Sequence, residues 1–285
     1  MLTCSHRTCR NTQSDLSIRL FGQKGFYLED DWYCSEDCLD TALKVAIEKK
    51  LSPLLEKGSN ILQRPLLGLI LLESALISRE QLQLALSHQK HEKTARLGQM
   101  LQRLGFVKEE DITAALARQS GFPRLSLDRI VVNEAILRMI PPRIARLQRI
   151  FPIEYDPENN KLSIVMSYPD RTVVNTLAKM LRSQIAPFVG DETLLEEVID
   201  QYYPKNSTEG NVEAGTFSIS SGIESISREI IKRAKVLKSQ DLSIERCGQH
   251  LWVRITVENE AYNLFLTIAD QTKDPDLLEA PLRRR

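Results

Sequence analysis

No apolar run in this sequence reaches the length of a membrane span, which argues against a transmembrane helix. Charge of one sign is not in excess. Lysine plus arginine total 38, as do aspartate plus glutamate, so no global field draws the chain to nucleic acid or to an anionic membrane. The amino terminus lacks the charged-then-apolar layout of a signal peptide. Cysteine is scarce, at five in 285 residues, too few for a disulfide framework, so a cytoplasmic, reducing setting is expected. The pattern G-x-x-x-x-G-K-[ST] is missing, which removes the usual phosphate cradle of nucleotide hydrolysis. The four histidines, His6, His88, His91 and His250, are dispersed, and neither paired catalytic acids nor a nucleophile elbow occurs. An enzyme is therefore not expected.

What is present is a segment written twice. Residues 66–89 read LLGLILLESALISREQLQLALSHQ and residues 96–119 read RLGQMLQRLGFVKEEDITAALARQ. A shift of thirty places lays Leu67-Gly68 on Leu97-Gly98, Leu71 on Leu101, Ala75 on Gly105, Leu76-Ile77 on Phe106-Val107, Leu82 on Ile112, Leu86 on Leu116 and Gln89 on Gln119. Apolar residues recur at helical spacing: Leu67, Ile70, Leu71 and Ser74 on one face, then Leu82, Leu86 and Gln89 on another. Ser78 and Gln81 fit a capping box, and Lys108-Glu109-Glu110-Asp111 sets acids in a first turn, where the helix dipole favours them. Each copy is thus expected to be a helix, a turn at Ala75 or Gly105, and a second helix. On pattern alone the stripes are core packing.

Four of the five cysteines fall in residues 1–45. Cys4 and Cys9 form one close pair, Cys34 and Cys38 another, and the aromatic run FYLEDDWYC leads into the second. Two close pairs suit a tetrahedral thiolate site, each pair supplying two ligands from one tight turn. Unrelated reduced thiols or two disulfides are the alternatives, and His6 is either a substitute ligand or a surface residue. A knuckle, a hairpin and a helix carrying the last ligand resemble a treble-clef or zinc-ribbon module. Zinc with four thiolates has no open position and would be structural. The acids Glu29, Asp30, Asp31, Glu36, Asp37 and Asp40 disfavour a zinc-dependent nucleic-acid binder.

The doubled pattern, R-L-G followed by aliphatics, Gly, aliphatics, Leu, Leu and Gln at fixed offsets, resembles the MshEN domain, the amino-terminal module of type II secretion and type IV pilus assembly ATPases. In that family two such motifs bind one cyclic di-GMP. The second copy matches at Arg96, Leu97, Gly98, Leu101, Gly105, Phe106, Val107, Ile112, Leu116 and Gln119 and departs at Gln102. The first matches at Leu67, Gly68, Leu71, Leu72, Leu76, Ile77, Leu82, Leu86 and Gln89; it departs at Leu66, where arginine is usual, and at Ala75, where glycine is. Arg64 is the stand-in for the missing arginine. The resemblance implies a ligand set of these arginines, the Leu-Gly pairs, Leu71, Leu72, Leu82, Leu86, Leu101, Ile112, Leu116 and the two glutamines. Arginine pairs with phosphate or lies flat on a guanine, aliphatics cover purine faces, and a glutamine amide both donates and accepts. His88 precedes the spacer KHEKTA and His91 lies near its start, and both read as solvated helix-end residues.

The resemblance extends through residues 120–203, with a helix ending at Ile140-Pro141-Pro142, the hairpin FPIEYDPENNKLSIVMS turning at Asp156–Asn160, and a helix, strand and helix to Tyr203. Residues 223–268 are similar to the start of the second amino-terminal domain of the same ATPases, with Ser239, Asp241, Leu242, Ser243, Ile244, Glu245 and Val253-Arg254 matching. There the usual His is Ser243 and the usual Asp-Gly is Glu258-Asn259. Cys247 reads as a small buried or semi-buried residue.

The expected fold class is α+β multidomain. The chain is read as a zinc module (1–45), a connector (46–63), an MshEN-like domain (64–203, with the helical repeat at 64–120 and an α/β half at 121–203), a linker (204–216) and a degenerate α+β tail (217–285). The function this implies is a non-enzymatic cyclic di-GMP-binding regulatory or adaptor protein. Its implied partners are a secretion or pilus ATPase or an inner-membrane platform protein. A structural protein-interaction module that binds no nucleotide is the alternative.

Overall fold

In the computed structural model, residues 1–21, 24–55, 66–92, 95–128, 130–203, 212–218, 222–247, 250–258 and 260–269 are described. The chain opens with β1 (Leu2–Thr3), β2 (Thr12–Gln13), α1 (Asp15–Phe21), β3 (Phe26–Leu28), β4 (Asp31–Tyr33) and α2 (Glu36–Leu55). Then come α3 (Leu67–Glu73), α4 (Arg79–His91), α5 (Leu97–Arg103), α6 (Glu109–Ser120), α7 (Glu134–Leu137) and α8 (Pro142–Gln148). A mixed segment follows: β5 (Ile150–Asp156), β6 (Lys161–Met166), α9 (Arg171–Leu181), β7 (Gln184–Val189) and α10 (Glu192–Tyr202). The last elements are β8 (Val212–Ser218), α11 (Ile223–Val236), β9 (Asp241–Cys247), β10 (His250–Val257) and β11 (Glu260–Ala269). The α+β class expected from the sequence is the class observed. Among the described residues no helix is long and apolar enough to cross a membrane.

These elements form two units, one made of Met1–Gly58 and Glu209–Arg285, the other of Ser59–Thr208. The first unit is built on a sheet of order β4-β3-β9-β10-β11-β8. Strands β9, β10 and β11 form an antiparallel meander, and β8 adds parallel to β11. The join between the two ends of the chain is β3 on β9, parallel, with Tyr27 opposite Asp241 and Leu28 opposite Leu242. Alternate residues Leu242, Ile244, Leu251, Val253, Ile255, Leu264 and Leu266 share one core with Leu39, Leu43 and Ile47 of α2 and Ile226, Ile230 and Ala234 of α11.

Two segments differ from the serial reading of the sequence. Residues 46–55 of the expected connector continue α2, because the stripe Leu39, Leu43, Ile47 keeps helical spacing and is fully buried. Residues 212–216 of the expected linker lie in β8, where their backbone groups find partners on β11. The remainder of both segments lies outside the described residues, as do residues 270–285.

The second unit carries the repeat. Helix α3 packs on α6 and α4 on α5, so the first helix of each copy lies against the second helix of the other. The capping box expected at Ser78 is present: Gln81 N donates to Ser78 Oγ at 3.2 Å, and Ser78 N donates to Gln81 Oε1 at 2.7 Å. After it comes the sheet β5-β6-β7, with β5 and β6 antiparallel and β6 and β7 parallel. The expected turn forms at Asp156, whose Oδ1 accepts from the amides of Glu158 and Asn159. The run at 143–148, placed after a helix end in the sequence reading, is itself helical in α8. Pro142 at its start suits an opening turn that needs no amide.

Both copies turn between their helices in the same way. Leu76 N donates to Leu71 O and Ala75 N to Leu72 O; Phe106 N donates to Leu101 O and Gly105 N to Gln102 O, the paired bonds of a Schellman ending. Gly105 sits at φ +71° and Ala75 at φ +55°. Ala75 therefore holds a left-handed conformation that its Cβ disfavours. Ala75→Gly is expected to raise stability by about 0.5–1 kcal/mol, after the greater entropy of glycine in the unfolded chain offsets part of the relief. Denaturant unfolding followed on the helical signal checks it, and a lower midpoint would contradict the strain.

Candidate functional site

Within the repeat, the two Leu-Gly pairs interlock. A Cβ placed on Gly68 would meet Leu82 Cδ1 at 2.9 Å and Leu97 Cδ2 at 3.4 Å; one on Gly98 would meet Ile112 Cγ2 at 3.0 Å and Leu67 Cδ2 at 3.5 Å. Each leucine thus rests on the glycine of the other copy, and each glycine admits the second helix of its own copy. In the fold the Cα faces of both glycines are taken up by helix packing.

The ligand set from the sequence divides by environment. Leu71 and Leu101 are fully buried and belong to the core between the copies, joined by Ile112 and Leu116 at its margin. Leu72, Leu82 and Leu97 pack against that core while partly exposed. Gln89 donates from Nε2 to Ala95 O at 2.9 Å, closing the spacer, and Gln119 is half-buried near the end of α6. Arg64 lies outside the described residues. Symmetry in sequence does not carry into exposure: Leu86 is 41% exposed whereas its counterpart Leu116 is 7% exposed. Leu66 and Leu69 stand 69% and 55% exposed where the second copy has Arg96 and Gln99.

The second copy opens onto a cleft. Leu67, Arg96, Gly98, Ile112 and Leu116 line it together with Gln99, Ser167, Tyr168 and Glu192. Beside it, Arg96, Gln99 and Tyr168 also border a cavity of about 410 Å³ reaching Gln148, Arg149 and Asp170. The Arg96 guanidinium lies over the Tyr168 ring, 4.2 Å from its centroid, a cation–π contact. Gln99 Nε2 donates to both carboxylate oxygens of Glu192 at 3.1 and 3.3 Å, and Arg149 pairs with Glu192 and, at 3.2 Å, with Glu196. Thr193 binds Glu109 through its amide at 2.7 Å and its hydroxyl at 2.8 Å. Helices α5 and α6 are thereby fixed to the start of α10. The cleft, of about 40 Å³, thus combines a cation over an aromatic plane, an amide, a hydroxyl and aliphatic walls with the carboxylates of Glu109 and Glu192.

Gln99, Arg149, Ser167, Tyr168 and Glu192 did not stand out in the sequence. Four of them come from the α/β half, and no spacing links them to the repeat. Gln99 faces the cleft from the position where the first copy has Leu69, a difference visible only when the copies are laid together.

In the first unit, Cys4, Cys9, Cys34 and Cys38 converge, their Sγ atoms all within 4.8 Å of one another. Cys9–Cys34 and Cys34–Cys38 are 3.6 and 3.9 Å apart, close to the ~3.8 Å edge of a tetrahedron with zinc–sulfur bonds of about 2.3 Å. All four are free thiols, and His6 is not of the cluster; its Nδ1 faces Thr8 Oγ1 at 3.2 Å. Tight turns set the geometry: Cys9 N donates to His6 O, Cys4 N to Asn11 O, and Cys38 lies in the first turn of α2. Burial pushes the Cys34 thiol up, but hydrogen bonds from Asn11 and the neighbouring thiols outweigh it and bring the group down to about 7. Ser35 lowers the Cys38 thiol; burial and the adjoining thiols outweigh this and raise it to about 12. Thiols this close favour a shared cation over separate ionisation. Cys247, in β9, is buried as expected.

The MshEN domain family model matches residues 120–209. Among solved structures, the chain is similar to MshE with cdg at 31% identity, covering 49% of this chain and 100% of that one, with a TM-score of 0.44. It is also similar to the N-terminal domain of XpsE at 19% identity, covering 48% of this chain and 93% of that one, with a TM-score of 0.41. No curated protein matches.

Proposed function

Because this chain belongs to the MshEN domain family, we propose that it is a non-enzymatic regulatory or adaptor protein that binds cyclic di-GMP through its paired motifs and carries a structural zinc. The observation that supports the nucleotide reading is the reciprocal seating of Leu67 on Gly98 and Leu97 on Gly68, which brings the two Leu-Gly motifs side by side, as a two-fold ligand would require. Arg96 above Tyr168, with Ile112 and Leu116 alongside, supplies the stronger half. The first half has Leu66 in place of that arginine. The four-thiolate cluster supports zinc in a closed site, where the ion would organise the chain and take no part in chemistry. The partners proposed are a secretion or pilus ATPase or an inner-membrane platform protein, met in the cytoplasm.

Titration calorimetry of the full chain tests the reading: saturable binding of cyclic di-GMP is expected, and none at tens of micromolar would sink it. Arg96→Ala is expected to weaken binding about 30-fold, through loss of a charge-assisted contact, and Gln119→Ala about 5-fold. A second reading, a protein-interaction module whose repeat only packs, is favoured by the exposed Leu66 and Leu69. Under that reading both variants leave the calorimetric trace unchanged.

A further inference from the structure

The turn after β6 carries two residues that the repeat motif does not contain. Ser167 is only 6% exposed, and its Oγ has no hydrogen-bond partner among the described residues. A buried hydroxyl left unpaired is costly, so its position on the lining of the cleft asks for a partner there. Its backbone is held in place, since Ser167 N donates to Arg149 O at 3.3 Å. The next residue, Tyr168, is 44% exposed and presents its ring to the Arg96 guanidinium at 4.2 Å. A guanidinium stacked on one face by an aromatic ring has its other face open to a second plane.

We propose that Ser167 and Tyr168 form a second wall of the nucleotide half-site: Tyr168 holds Arg96 flat so that a purine stacks on its free face, and the Ser167 hydroxyl bonds a polar edge of that base. The wall rests on the nucleotide reading above and adds to it two residues from the α/β half. It makes the stronger half-site a composite of α5, α6 and the β6–α9 turn. Tyr168 is a positioning residue, acting through Arg96; Ser167 touches the ligand directly.

The test is calorimetry of the full chain with cyclic di-GMP, with thermal unfolding measured in parallel. Tyr168→Ala is expected to weaken binding about 10-fold and Tyr168→Phe to stay within about 2-fold, since the ring face and not the hydroxyl supports the cation. Ser167→Ala is expected to weaken binding about 5-fold while the unfolding midpoint holds or rises, because the mutation removes an unpaired buried hydroxyl. If the unaltered protein binds and both alanine variants bind as tightly, the wall is wrong and the nucleotide reading stands. If the unaltered protein does not bind, the nucleotide reading falls and takes the wall with it. A Tyr168→Phe loss equal to that of Tyr168→Ala would overturn the stacking role.

Discussion

Stripping the metal from Cys4, Cys9, Cys34 and Cys38 is expected to unfold β9, β10 and β11 along with the first 45 residues. A four-cysteine segment read from sequence alone would melt by itself. Here the cluster is continuous with a larger core: Cys4, Leu28, Trp32, Leu39, Leu43 and Ile47 are buried with Ile226, Ile230, Leu242, Ile244, Leu251 and Val253. Strand β3 also supplies the parallel neighbour of β9, and Glu29 N donates to Leu242 O at 2.7 Å. Structural zinc in small modules contributes on the order of 10 kcal/mol, comparable with the whole stability of an ordinary domain. Without the ion, α2 loses its anchor at Cys38, and the sheet loses one of the two helices that share its core. Hydrogen exchange over residues 223–257, with and without a zinc chelator, reads the effect. Protection lost by several orders of magnitude is expected, with Cys38→Ala behaving as the chelated protein. Residues 66–203, which bury a core of their own, are the internal control. Unchanged protection at 241–257 after metal loss, confirmed by metal analysis, would show that the two ends fold independently.

Lys50→Met is expected to destabilise the same unit by about 3 kcal/mol. Lys50, on α2, pairs with Glu245, on β9, at 2.5 Å across 195 residues of sequence, and both side chains are largely out of water. Methionine keeps the apolar stem of lysine but removes the ammonium, so the buried Glu245 carboxylate loses its ion pair with Lys50. The cost comes from the charge left behind and not from the value of the pair. Replacing both, Lys50→Met with Glu245→Met, is therefore expected to recover most of the loss. Denaturant unfolding of the two single variants and the double variant closes the cycle. A double variant as unstable as Lys50→Met alone would mean that packing, and not the loss of the ion pair beside a buried carboxylate, set the cost.

Local chemistry was largely legible in the residues. The capping box at Ser78, the Schellman turns at Ala75 and Gly105, the Asp156 turn and the convergence of the four cysteines all rest on contacts between residues close in sequence or on strict ligand spacing. The cleft beside the second copy was half legible. Arg96, Leu67, Gly98, Ile112 and Leu116 come from the motif, and the structure gathers them. Tyr168, Ser167 and Glu192 belong to the α/β half and follow no period that would tie them to the repeat. The sequence also left the two copies looking more alike than they are. Leu86 and Leu116 occupy one place in the pattern, yet one is exposed and the other buried, because burial depends on which neighbour arrives.

Taken alone, the sequence determined most of the elements of this protein: two helical hairpins of one pattern, a thiolate quartet, a mixed segment after them and an α+β tail. These follow from periodicity, capping and ligand spacing, which act over a few residues. Only the tertiary structure decided that β3 joins β9, so that the amino-terminal cysteines and the carboxy-terminal sheet share one core, and that Arg96 lies on Tyr168. Both are pairings across long stretches of chain, chosen by complementary surfaces that form only once each segment has folded; no local pattern encodes them.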